Sequence, residues 1–188
     1  MIQIEPDAVT ASNRSAIKMR ELRSFLSNAK SAVKLQGEVS VLLATDDSIR
    51  KLNKSFRKKD KATDVLSFPT EPDMTGGPKL AGDLAVALGV ASKQAEEHGH
   101  ALLVEIKILL LHGLLHLAGY DHETDTGQMA RKESALRRQL NLPVGLIQRS
   151  IGKTVKQAPQ KAVRTKALGP GKTVSQSRTH SRTRSRAS

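Results

Sequence analysis

No cysteine occurs anywhere in the 188 residues. Disulfides, thiolate nucleophiles and sulfur-ligated zinc are therefore excluded, and a transition metal would have to be held by histidine and carboxylate. Long uncharged apolar runs are also missing. The most apolar stretch, Ala101 to Ala118, is interrupted by Glu105, Lys107, His112 and His116. A membrane span needs about 20 predominantly apolar residues with few or no charges, so this stretch reads as a buried helix and no membrane partner is expected. The opening MIQIEPDAV has no basic segment and carries Glu5 and Asp7, unlike a secretory signal. A cytoplasmic setting is the expectation. No internal repeat is evident.

Acidic residues are absent from Ser150 onward, where ten Lys or Arg fall among Ser and Thr. The other 149 residues hold 21 basic and 18 acidic side chains, so most of the net charge of +13 belongs to the C-terminal segment. That segment lacks apolar periodicity and has too little surface to bury against the entropy of ordering. Residues 150–188 are expected to be a basic disordered tail, either drawn to nucleic acid by counterion release or a solvated appendage. Residues 1–149 are expected to form one folded domain, a size at which a single core is stable. Within the tail, GPGKT imitates the end of a phosphate-binding loop, but Lys166 stands where the leading glycine belongs and no strand precedes it. No nucleotide cofactor is expected.

The first 149 residues alternate between strand-like and helix-like patterns. IQIE reads as an edge strand, and Leu22, Phe25, Leu26, Ala29 and Val33 recur at helical spacing between Asn13 and Lys34. EVSVLLA is a strand that ends at Thr45, Asp46 and Asp47, which suit the opening of a helix running to about Phe56. DVLSF and GDLAVAL are strands separated by a loop rich in Pro and Gly. Helices are expected from Gly89 to about His98, from Leu102 to Ala118 and from Thr124 to about Leu140. The fold class is α+β, a mixed sheet of about four strands packed with helices, the long apolar helix central.

Three histidines lie in that apolar region: His112, His116 and His122. An α-helix advances 3.6 residues per turn, so His112 and His116 project from one face, a turn apart. Gly119 suits the left-handed conformation that ends helices, and the chain can then turn back to deliver His122. Buried imidazole nitrogens need partners, and one cation satisfies all three. Three neutral nitrogen ligands favour zinc, one ion per chain, with nickel, copper or iron admitted by ligand type. A three-ligand zinc site leaves a position for a water whose pKa can fall to about 7. The offsets match the zincin pattern H-E-x-x-H-x-x-G-x-x-H, except that Gly113 stands where that pattern has its general-base glutamate.

Other groups enter as candidates. Asp121 is placed either to orient a ligand imidazole or to stabilise its turn. Glu105, seven residues before His112, either orients water or substrate or ends the helix in a salt bridge. His98 and His100 read as the end of a helix. The segment RKLNKSFRKKDKATDVLSF carries Arg50, Lys51, Lys54, Arg57, Lys58, Lys59 and Lys61. A charge run is commonly a solvated face, but Arg57 closes its helix just before a loop, and its planar fork suits phosphate oxygens. A metal centre facing an arginine is an arrangement for cutting a phosphodiester.

HGLLHLAGYDH, NKSFRKKDKATDVLSF and GDLAVAL together resemble the YbeY family of bacterial metal-dependent endoribonucleases. The resemblance implies a small zincin-like α+β fold, zinc ligands at His112, His116 and His122, and a functionally important arginine at Arg57. It also implies single-strand-specific cleavage of ribosomal RNA in 16S 3′-end maturation and ribosome quality control, with the ribosome or its small subunit as partner. Asp83 falls on a family Gly-Asp pair expected near the cleft. Phe56 stands where the family often has tyrosine, and Ala62 where it often has proline, which loosens the loop before Thr63. Two alternatives remain at this stage: a metal-dependent hydrolase of peptides or amides, and a non-catalytic ribosome-assembly factor with a structural metal.

Overall fold

A computed structural model describes residues 1–70, 80–122 and 124–143. The expected C-terminal tail and the centre of the loop after the third strand lie outside these residues. In chain order the elements are β1 (Ile2–Ile4), α1 (Met19–Val33), β2 (Glu38–Ala44), α2 (Asp46–Arg57), β3 (Val65–Pro69), β4 (Leu80–Ala87), α3 (Leu88–His98), α4 (Leu102–Leu117) and α5 (Gln128–Gln139). The four strands form one sheet in the order β1-β2-β4-β3. β1 and β4 run parallel to β2, and β3 is an antiparallel edge strand on β4. This is the expected α+β class with a mixed four-stranded sheet, and IQI is the expected edge.

Alternation along the strands sorts the helices onto two faces. On one face Val39, Val41, Leu43, Leu84 and Val86 pack with α1, α3 and α4. On the other, the smaller Ala44, Ala85 and Ala87 meet Ile49 of α2 and Leu66 of β3. The long helix α4 is apolar around most of its girth because it is enclosed: residues from Leu102 to Leu117 are almost all buried. It crosses the sheet closely at Gly113, where an added Cβ would lie 2.7 Å from Leu84 Cδ2 and 3.2 Å from Ser67 Oγ. Among the described residues no single helix is long and apolar enough to cross a membrane.

Local chemistry moved two helix starts from where periodicity placed them. α1 begins at Met19 rather than near Asn13, because the Asn13 side chain serves a turn instead. Its Oδ1 accepts from Thr10 N at 2.8 Å and its Nδ2 donates to Ala8 O at 3.0 Å; such local bonds compete with a helix. α5 begins at Gln128 rather than Thr124. The Asp125 carboxylate accepts from the backbone N–H of Gly127, Gln128 and Met129 at 2.6–3.1 Å, capping the helix one turn later. Those bonds, the one from Met129 foremost, hold the Asp125 carboxyl below its ordinary range. α2 opens as expected, with Thr45 Oγ1 accepting from Ser48 N at 3.1 Å.

Candidate metal centre and cleft

The end of α4 is built to turn sharply. Gly119 takes φ +86°, and Tyr120 N donates to Leu115 O at 3.0 Å while Gly119 N donates to His116 O at 2.9 Å. This satisfies the last carbonyls of the helix and returns the chain so that His122 faces His112 and His116. Ring centroids are 4.8 Å apart for His112 and His116, 5.4 Å for His112 and His122, and 5.3 Å for His116 and His122. One ring nitrogen from each lies within 4.8 Å of the other two. The spacing therefore does what it implied: three imidazoles converge.

The donor atoms fit a metal ion. His112 Nε2 and His116 Nε2 are 3.2 Å apart, against roughly 3.3 Å expected for two nitrogens on a tetrahedral zinc at its usual bond length. His112 Nδ1 is 3.0 Å from Glu133 Oε2. A carboxylate accepts, so Nδ1 carries the proton and Nε2 keeps its lone pair for the ion. His116 is half-buried, and burial first, then its two neighbouring imidazoles, holds it down to about 4. It is neutral near pH 7, the form that ligates metal. A hydrogen bond with the Tyr120 backbone orients it.

Glu133 was not singled out by sequence reasoning. It sits on α5, essentially buried, with Oε1 2.8 Å from Arg137 Nε and 2.6 Å from Arg137 Nη2. Arg137 is buried too and donates through Nη1 to Pro143 O at 3.0 Å. A signal existed: Met129, Glu133, Leu136 and Arg137 form the buried stripe of α5, and an acid and a base four apart on an apolar stripe are an ion pair in the core. Asp121, the sequence candidate for this role, holds the turn: its Oδ2 accepts from Thr124 Oγ1 at 3.0 Å. It also favours the charged form of His116. Glu105 lies toward the far end of α4, where it pairs with His100.

The histidines open into a cleft of about 970 Å³ that the edge strand β3 and the end of α2 line on other sides. Arg57, Lys59 and Lys61 line it, as do Phe56, Asp64, Gln94 and His98. The basic run is thus divided by its partners. Asp60 takes Arg50 Nε at 2.7 Å and Lys54 Nζ at 2.9 Å, which pulls the Asp60 carboxyl down to about 2, the Arg50 bond being the larger cause. Those two cations are an exposed ion-pair network, while Arg57, Lys59 and Lys61 face the cleft. Phe56, 66% exposed, stands edge-on to Phe68 with centroids 5.0 Å apart. Asp64, also missed in the sequence, is tied down by Val65 N at 2.9 Å and Gln94 Nε2 at 3.1 Å. Asp83 is exposed on β4 and is not among the residues lining the cleft.

Residues 4–141 match the family described as Endoribonuclease YbeY. The chain belongs to the YbeY family. It is 46% identical over 147 residues to Endoribonuclease YbeY of Koribacter versatilis, covering 78% of this chain and 93% of that protein. It is 53% identical over 124 residues to that of Solibacter usitatus, covering 63% and 80%. A solution structure from Thermotoga maritima aligns over 87% of this chain and all of its own, at 25% identity and TM-score 0.47. The family match covers the whole stretch that supplies Arg57, the three histidines and Glu133.

Proposed function

We propose that this chain is a zinc-dependent endoribonuclease that cleaves single-stranded ribosomal RNA in 16S 3′-end maturation and ribosome quality control, working in the cytoplasm with the small ribosomal subunit. His112, His116 and His122 are the ligands, and Arg57 is the catalytic cation. The convergence of the three imidazoles in a cleft that Arg57 also lines carries this reading. When bound, a divalent ion acts there as a Lewis acid that lowers the pKa of water. The chain supplies the rest. Glu133 fixes the tautomer of His112, the Tyr120 turn places His122, and Arg57 with Lys59 and Lys61 neutralises charge on phosphate oxygens.

A peptide or amide hydrolase loses support from the same geometry. The position beside the first ligand, where a zincin keeps its base, is occupied by Gly113 pressed against Leu84 and Ser67. Replacing Arg57 by alanine tests the nuclease reading: RNA cleavage should fall by at least about a hundredfold, as for loss of one oxyanion-stabilising donor, with one zinc per chain retained. Undiminished cleavage by a folded, zinc-loaded R57A protein overturns it.

A further inference from the structure

A second group of ligating side chains lies at the corner between α3 and α4 and shares no residue with the first. Gly99, with φ +68°, ends α3 and sets His98 and His100 on either side of a tight turn. Their rings stack with centroids 5.9 Å apart and 16° between planes. Glu105, fully buried in the first turn of α4, reaches the same corner. One ligand atom from each of the three lies within 4.8 Å of the other two.

We propose that His98, His100 and Glu105 form a second site for a divalent transition-metal ion. His98 Nδ1 is 2.5 Å from Gln94 O. A carbonyl only accepts, so Nδ1 holds the proton and Nε2 presents a lone pair, the tautomer that ligand histidines keep by donating to a carbonyl. His100 Nε2 and Glu105 Oε2 are 3.0 Å apart, the spacing of two ligands on one ion. Glu105 sits where the positive end of α4 favours a carboxylate, and a cation offsets its desolvation. His98 is exposed, so a modest tilt of its ring, with the Gln94 bond kept, closes the gap from the observed spacing to that of ligands on one ion. Two imidazoles and one carboxylate select zinc, nickel, cobalt or iron over magnesium or calcium. Because His98 also lines the cleft, an ion here ties α3 to α4 and adds positive charge at the cleft's rim.

The test is zinc titration of the metal-stripped full-length protein against a chromophoric chelator, with His98→Ala, His116→Ala and the double variant alongside. Two equivalents are expected for the unaltered chain. His98→Ala should weaken one equivalent at least tenfold and leave the other. His116→Ala should retain an equivalent that the double variant loses. Because His98 is exposed, its replacement leaves the core intact, and matching thermal melts of the stripped proteins check this. Identical stoichiometry and affinity for the unaltered chain and His98→Ala overturn the proposal, as does a His116→Ala protein that binds no zinc.

Discussion

Replacing Glu133 by glutamine should damage the fold and the metal centre by separate, measurable amounts. The amide keeps the shape of the side chain and can still accept from His112 Nδ1, but it then turns its NH2 group toward the Arg137 guanidinium 2.6–2.8 Å away. Arg137 is 2% exposed, so water cannot take the place of the lost carboxylate. Removing one partner of a buried ion pair destabilises by about 3–5 kcal/mol. At about 2–4 °C per kcal/mol for a domain of this size, the melting temperature of metal-free protein should fall by roughly 10 °C. The histidine effect is distinct: the amide has one acceptor where the carboxylate has two, so whenever its oxygen turns to Arg137 its NH2 faces His112 Nδ1, and loss of that orienting partner typically lowers metal affinity by about 10- to 100-fold.

Circular dichroism melting of the stripped protein reads the first effect and zinc competition reads the second. Arg137→Met separates them. It leaves the Glu133 to His112 bond in place, so it should lose stability to a similar degree while its zinc affinity falls by less than that of Glu133→Gln. A folded Glu133→Gln protein with unaltered zinc affinity would show that the His112 ring is held by packing and not by this carboxylate.

Three further outcomes follow from the cleft and the chain around it. Phe56→Ala, which removes an exposed ring at the cleft, should weaken single-stranded RNA binding by about 1–3 kcal/mol, the worth of one base stacked on an aromatic, with zinc content unchanged; equal RNA affinity would remove Phe56 from the binding surface. Gly113→Glu should destabilise by about 1–3 kcal/mol through overpacking against Leu84 and Ser67 and should confer no peptide hydrolysis; a stable variant that cleaves peptides refutes this account of the glycine. Deleting residues 150–188, with ten cations and no acid, should lower RNA affinity and flatten its dependence on salt, while equal salt slopes would make the segment a bystander.

The parts of this molecule that were legible in the sequence are those set by near neighbours in the chain. β2 was read to its ends because EVSVLLA is rich in β-branched residues and stops at the helix-opening Thr45, Asp46 and Asp47, and the histidine trio because helical spacing plus one helix-ending glycine determines where the third ring goes. Features set by which atom a polar side chain bonds were not legible, whether the partner lies four or five positions away or 21. Asn13 and Asp125 each look compatible with a helix interior until the backbone groups they satisfy are seen. Glu133 is separated from His112 by 21 positions, and only the packing of α5 on α4 brings them together. The basic run read as one cluster, because nothing local says that Asp60 folds back onto Arg50 and Lys54.

That division of charge, taken with Gly113, accounts for the substrate class better than the histidines do. Three imidazoles on one ion serve proteases and nucleases alike, so the neighbours must decide. A protease of this pattern keeps a carboxylate beside its first ligand, but here α4 crosses the sheet so closely that a side chain at this position would press on Leu84 and Ser67. Among the described residues the carboxylates lining the cleft are Asp64 and Asp121, and both accept hydrogen bonds that hold the local backbone or its turn. The cleft has instead been given cations: Arg57, Lys59 and Lys61 face it, while Asp60 neutralises the basic groups that lie on the outer surface. Each substrate needs its nucleophile deprotonated, but a peptide bond offers little charge to bind, whereas a phosphodiester arrives with a negative charge that grows in the transition state and must be met. The groups gathered around these histidines match the second demand.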